Sequence, residues 1–171
     1  SWTYHGANRL GANSLLSASV DGWFTLPFTV PNYLAKHLGE DKLAEDSAEA
    51  QKAVSRAQDR IDRLMGVRGN DPHGPAHYHR LLGEILYWGC GVSRNVEDLK
   101  VAIQKIRDLR GEFWANVRIT GNANDMNQVL EYGLRVADYI DLGELMCVDA
   151  LDRDESCGAH FRDDHLSEDG E

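Results

Sequence analysis

Proline is scarce in this 171-residue chain, with four residues and no low-complexity tract beside them. That excludes a mostly disordered, proline-rich chain. Cysteine is scarce as well. Cys90, Cys147 and Cys157 are odd in number and form no Cys-x-x-Cys pair, so neither a disulfide framework nor a zinc site follows, and a reducing compartment fits. Long apolar runs are missing. The most apolar window, residues 23–30, is too short and too proline-broken to span a bilayer, and no signal peptide precedes it. Positive charge is in deficit, 18 Lys and Arg against 28 Asp and Glu, for a net charge of −10. Phosphate binding needs clustered cations, so nucleic acid is excluded as the expected partner. There is no convincing strand alternation, no internal repeat, no GxGxxG and no P-loop. The chain opens on Ser1-Trp-Thr-Tyr rather than on Met, and we expect it to be a piece of something longer.

What is present reads as helix. The apolar fraction of 42% is enough for one core in a domain-sized chain. Residues 14–37 read as a helix, capped by Asn13 or Ser14, with a kink or break near 26–31 at Pro27 and Pro31. Leu16, Val20, Phe24 and Phe28 recur every four residues, a stripe suited to covering another surface. A polar connector at 39–42 follows. Four further segments are predicted: about 44–65 with Val54, Ala57, Ile61 and Leu64 inward; 75–89 with Tyr78, Leu81, Leu82, Ile85 and Leu86; a helix capped by Asn95 with Leu99, Ile103, Ile106, Leu109 and Phe113; and about 125–153 with Met126, Val129, Leu130, Val136, Ala137, Ile140 and Cys147. Short loops favour antiparallel neighbours. The expected fold is all-α, a bundle of three long helices plus a shorter one behind an N-terminal helical segment. The division expected is 1–40, 41–155 and a polar, acidic tail at 156–171. From Asp149 to Glu171 nine acids stand against two arginines, the composition of a solvated end.

Three constellations could carry chemistry. The first is His5-Gly-Ala-Asn-Arg-Leu-Gly-Ala-Asn-Ser-Leu15, where small residues ahead of a helix let a backbone approach a ligand closely. Arg9 within it could grip a carboxylate through two parallel hydrogen bonds. Taken alone, local capping fits these residues as well. The second is Asp71, His73, His77 and His79. His73 and His77 stand four apart, but Gly74 and Pro75 intervene, and His77 and His79 point to different sides of a helix. Structural or solvent roles are therefore expected, with no metal. No Ser-His-Asp or Cys-His arrangement can be assembled. The third is Arg153-Asp-Glu-Ser-Cys-Gly-Ala-His-Phe-Arg162, which fits either a dense polar network or a charged helix end.

The first string resembles, almost letter for letter, a signature of the succinate dehydrogenase and fumarate reductase flavoproteins. The third looks like that family's Arg-x-Glu-Ser-Arg-Gly-Ala-His motif, with Cys157 in place of the second arginine. Residues 17–33 look like the form found in some bacterial succinate dehydrogenases. The resemblance implies that Arg9 binds a carboxylate of succinate or fumarate. It implies that Asn13, Ser14 and Leu15 line FAD, with the N–H groups of Ser14 and Leu15 at the pyrimidine edge. It also implies that 1–40 is the tail end of the FAD-binding domain and 41–155 a C-terminal helical bundle. Electrons would pass to an iron–sulfur subunit held by membrane anchor subunits, on the cytoplasmic face of the cell membrane. The Gly-rich nucleotide motif, the flavin-attachment histidine and the capping domain's proton-transferring arginine would precede Ser1, so the chain alone is expected to be inactive and without FAD. Fumarate reductase and L-aspartate oxidase are alternative parents, and a docking module without chemistry is an alternative of another class.

Overall fold

The computed structural model describes residues 13–40, 42–157 and 159–166. Helix α1 spans Asn13–Val20. The chain then widens into a π-helical stretch at Asp21–Thr25, continues as α2 at Leu26–Leu34 and tightens into a 3₁₀ turn at Ala35–His37. Of the expected kink or break near 26–31, the chain shows no break; the ladder is instead irregular just upstream, at Asp21–Thr25. Pro27 follows directly on the π-helical stretch, at the second residue of α2, and its missing N–H drops one rung of the ladder there. The wider π ladder just upstream makes room for the ring, and Pro31 is carried inside the helix. The expected apolar stripe faces outward. Leu16, Phe24 and Phe28 are all about two-thirds exposed, and the segment packs chiefly along itself.

The body begins at α3, Ala48–Gly66, whose N-cap Ser47 accepts from Ala50 N at 3.3 Å. It starts later than the apolar spacing indicates because Ser47 supplies the cap. Only its last turns reach the core. Leu64 is buried and Ile61 packs beside it, while Val54 and Ala57 are exposed. Arg60 pairs with Asp138 and donates to Leu134 O at 3.2 Å, and the Arg63 guanidinium lies 3.8 Å from the Trp114 ring centroid.

Helices α4 (Pro75–Gly89), α5 (Val96–Asn116) and α6 (Gln128–Asp152) pack against one another, each touching the other two. Their inward faces make the core. Every residue of the predicted stripe on α5, from Leu99 through Phe113, is buried. Tyr78 meets Phe113 edge-on, with ring centroids 5.3 Å apart. Each fully buried Leu, Ile or Phe contributes about 1.5–3 kcal/mol, so this interlocked face is the main source of stability.

Caps set the helix ends. Asn95 Oδ1 accepts from Asp98 N at 2.8 Å. Asn127 does more, accepting from Val129 N and Leu130 N and donating to Thr120 O and Asn122 O. Gly121 beside it has φ +86°, a left-handed turn residue. With Asn127 as cap, α6 starts at Gln128, and Met126 stands outside it, 97% exposed instead of buried. Glu144 on α6 receives Arg107 at 2.7 Å and Arg110 at 2.5 Å from α5, and these two guanidiniums hold its carboxyl below the usual range. Strands β1 (Ser93–Arg94) and β2 (Phe161–Arg162) form one parallel pair. Among the described residues no helix is long and apolar enough to cross a membrane.

Candidate functional site

Helix α1 begins at Asn13, which places Ser14 and Leu15 in its first turn. Backbone N–H groups in a first turn lie toward the positive end of the helix dipole, the end that favours an electron-rich group. Ser14 is buried to 9% exposure and its carbonyl accepts from Ser17 Oγ at 3.2 Å, while the Leu15 side chain is 71% exposed. Arg9 lies outside the described residues, as does the rest of the string up to Ala12. The side chain of Asn13 likewise carries no description.

The histidines after Asp71 do not converge on a metal. His73 and His77 stack with ring centroids 4.0 Å apart, and His73 Nε2 lies 3.4 Å from Asp71 Oδ1. His79 turns to the other side and meets Tyr132 Oη at 2.7 Å through Nδ1. Among the described residues no group of three or more His, Cys, Asp or Glu could hold a metal ion.

The third constellation becomes a buried knot. After Asp152 the chain folds back, and Arg162 comes to lie fully buried against the C-terminal end of α6. Its Nη1 donates to the carbonyls of Ala150, Leu151 and Arg153, at 3.2, 3.4 and 2.9 Å. Its Nε and Nη2 form a two-pronged pair with Asp164 at 2.7 and 3.0 Å. Helix ends leave carbonyls without partners, and their negative dipole end favours a cation. The guanidinium therefore meets helix carbonyls on one side and a carboxylate on the other. Arg162 in turn holds the Asp164 carboxyl well below the usual carboxylate range.

His160, also fully buried, has both ring nitrogens engaged. Arg94 Nη1 approaches Nδ1 at 2.7 Å, and Nε2 faces Arg153 O at 3.2 Å. Arginine can only donate and a carbonyl can only accept, so Nδ1 is the bare nitrogen and Nε2 carries the hydrogen. Burial pushes the His160 pKa below 6.5, and the charges of Arg153, Arg94 and Arg162 push the same way. A neutral histidine with both nitrogens committed has none left to exchange protons with a ligand. The knot is structural.

Cys157 joins it through backbone alone. Its N–H donates to His160 O at 2.8 Å, and its carbonyl accepts from His160 N at 3.1 Å. Any residue type but proline can make that bridge, so the cysteine is accommodated without a charge at this position. Arg94 and Asp164 complete the knot but carried no sequence signal pointing to it. Arg94 stands in the two-residue strand β1 just ahead of the Asn95 cap, too short to show as alternation, and only the closeness of Asp164 to Arg162 was visible.

Cys90 and Cys147 are both buried and reduced. Cys90 Sγ donates to Met146 O at 3.9 Å, and the two neighbouring thiols split in acidity, Cys147, fully enclosed, being pushed up and Cys90 lowered to about 7.

Comparison with known proteins adds four findings. A family described as the C-terminal part of the fumarate reductase flavoprotein matches residues 79–171. The fumarate reductase flavoprotein subunit of Haemophilus influenzae is 29% identical over 168 residues, 96% of this chain and 26% of that protein. The succinate dehydrogenase flavoprotein subunit of Bacillus subtilis is 28% identical over 166 residues, 96% of this chain and 27% of that protein. In three dimensions the chain is similar to a quinol-fumarate reductase chain solved with menaquinol molecules. The TM-score is 0.74 at 28% identity, covering 96% of this chain and 26% of the other. The chain thus spans about a quarter of the length of the relatives it matches.

Proposed function

Because this chain belongs to the succinate dehydrogenase and fumarate reductase flavoprotein family and carries its C-terminal helical domain, we propose that it serves a flavoprotein that interconverts succinate and fumarate. FAD, when bound in the intact protein, supplies the hydride acceptor. The observation that carries the proposal is the start of α1 at Asn13, with Ser14 and Leu15 in the first turn. That end of a helix suits the electron-rich pyrimidine edge of a flavin, where charge accumulates on reduction. Asn13 lines the same ring. Arg9, four residues ahead, binds a substrate carboxylate with its planar fork and so fixes the substrate's methylene carbons.

In this reading 1–40 completes the FAD domain, 41–155 is the helical bundle and 156–171 its polar, acidic end. We take the direction to be succinate oxidation, on the likeness of residues 17–33 to bacterial succinate dehydrogenases. Electrons leave to an iron–sulfur subunit, and anchor subunits hold the complex on the cytoplasmic face of the membrane. Fumarate reduction is the second reading, favoured by the relative from Haemophilus influenzae.

The test is Arg9→Lys in the intact flavoprotein. A lysine keeps the charge but not the bidentate grip, and turnover should fall by about 10²-fold or more with the complex still assembled. Wild-type turnover in that variant would overturn the assignment of Arg9. Loss of assembly, with full turnover in whatever complex remains, would favour a docking role. No Gly-rich nucleotide motif occurs in the 171 residues, so the chain alone should emerge colourless from desalting after incubation with FAD.

A further inference from the structure

The seam between α4 and α5 is open on the side facing away from α6. A groove of about 450 Å³ runs along it. Leu81 and Ile85, half-buried, form its floor with the buried Ala102 and Leu109. Trp88 and Val101 stand at one end, 78% and 50% exposed. Leu81, Ile85 and Trp88 are spaced i, i+4, i+7, so they form one continuous apolar row along α4. An exposed tryptophan over an apolar row is an unusual investment on a polar surface, and tryptophan is the residue type most often found to anchor interfaces.

The rim is acidic. Glu84, Asp98, Asp108 and Glu112 line the groove, against the single cation Lys105. Among the described residues none of these four carboxylates takes part in an ion pair, in contrast to Glu144 on the other flank of α5. Asp98 and Asp108 receive only neutral side-chain amides, from Asn95 and Gln104. The acids on α5 recur along its length from 98 to 112, a span of about 21 Å at 1.5 Å per residue.

We propose that this groove docks a Lys- and Arg-rich amphipathic helix of another polypeptide, about 14 residues long, with its apolar face on Leu81, Ile85 and Trp88 and its cations on the acidic rim. Charge complementarity selects that occupant. An anionic membrane surface is repelled by the same rim. A second copy of the chain brings a net charge of −10 toward carboxylates that already lack partners. The inference concerns a face of the bundle remote in kind from the flavin-side residues and does not rest on them.

The experiment titrates the whole 171-residue chain into a fluorescein-labelled synthetic helix of about 14 residues, with Leu and Ile on one face and Lys on its flanks, read by anisotropy. A second peptide carries Glu in place of Lys. The Lys peptide should bind at least about tenfold tighter than the Glu peptide, and binding should weaken steeply in about 0.5 M salt. Glu84→Gln with Glu112→Gln, and separately Trp88→Ala, should each weaken it by about tenfold or more. All three positions are exposed, so urea midpoints should not move, and Val101→Ser offers a further variant of the same wall. No saturable binding below about 1 mM, equal affinity for both peptides, or affinity unchanged in the variants would each overturn the proposal. A concentration-dependent dimer abolished by Trp88→Ala would assign the groove to a second copy and overturn it as well.

Discussion

Arg94 Nη1 donates to His160 Nδ1 at 2.7 Å, although the two residues stand 66 positions apart in the chain. A guanidinium cannot accept, so the bond exists only while His160 is neutral. The folded pKa of His160 lies below its ordinary 6.5, first because the ring is buried and then because three arginines surround it. The unfolded chain therefore takes up this proton at higher pH than the folded one. Stability is fully present above pH 6.5 and is lost as pH falls below it toward the folded value. Urea midpoints should drop between pH 7.5 and 5.5, and His160→Gln should flatten that part of the dependence at the cost of a lower midpoint overall. An unchanged slope in the variant would place the acid sensitivity elsewhere.

Arg162 is the second test of the knot. Its removal takes the side-chain donor from the Ala150 and Leu151 carbonyls at the end of α6 and leaves Arg153 O with His160 Nε2 alone. Arg162→Ala should cost about 3–5 kcal/mol, read as a shift in the denaturant midpoint. Arg162→Lys should recover only part of the loss, because an ammonium cannot bridge carbonyls and carboxylate in one plane.

Gly89 closes α4 against α5 at a distance no side chain fits. A Cβ added there would lie 2.5 Å from Ala102 Cβ. Gly89→Ala should cost about 1–3 kcal/mol through overpacking, and Ala102→Gly in the same chain should recover much of it. Thermal melts of the two single variants and the double variant measure the coupling. Purely additive losses would rule out the contact as the cause.

Tyr78 is buried among Phe113 and the stacked histidines, and among the described residues its hydroxyl has no hydrogen-bond partner. Burial, with Glu112 and Asp71 nearby, pushes its pKa up to about 12. Deleting a hydroxyl that bonds to nothing removes a desolvation cost of about 1–3 kcal/mol, so Tyr78→Phe should leave stability equal or higher. A lower urea midpoint would reveal a bond the hydroxyl makes in solution.

The three thiols should separate by access. Cys157 is half-buried, Cys90 is 7% exposed and Cys147 is fully enclosed. Under native conditions a maleimide should label Cys157 first, while Cys90 and Cys147 wait for unfolding despite the low pKa of Cys90. Mass spectrometry of tryptic peptides over time gives the order.

Local patterns determined much of this protein. The 3.6-residue spacing of Leu99 through Phe113 marked a buried face before any partner for it was known, because periodicity is a property of one helix. Asn95 announced its cap for the same reason. The strings at 5–15 and 153–162 carried the family, since both can be read letter by letter. Tertiary structure decided what depends on position in space. Val54 and Ala57 continue the stripe of α3 correctly, yet only the end near Leu64 reaches neighbours. Met126 keeps the apolar spacing of α6 but falls ahead of the Asn127 cap and points to solvent. Pro27 and Pro31 predicted a kink or break near 26–31, and the fold keeps the helix unbroken there with a π-helical stretch just upstream. The run Arg153–Arg162 could have been a charged helix end or a closed network. Only the fold-back that brings Arg94 to His160 and Arg162 to the carbonyls of α6 selected the network, because a buried cation is stable only where the folded chain places carbonyl and carboxylate partners around it.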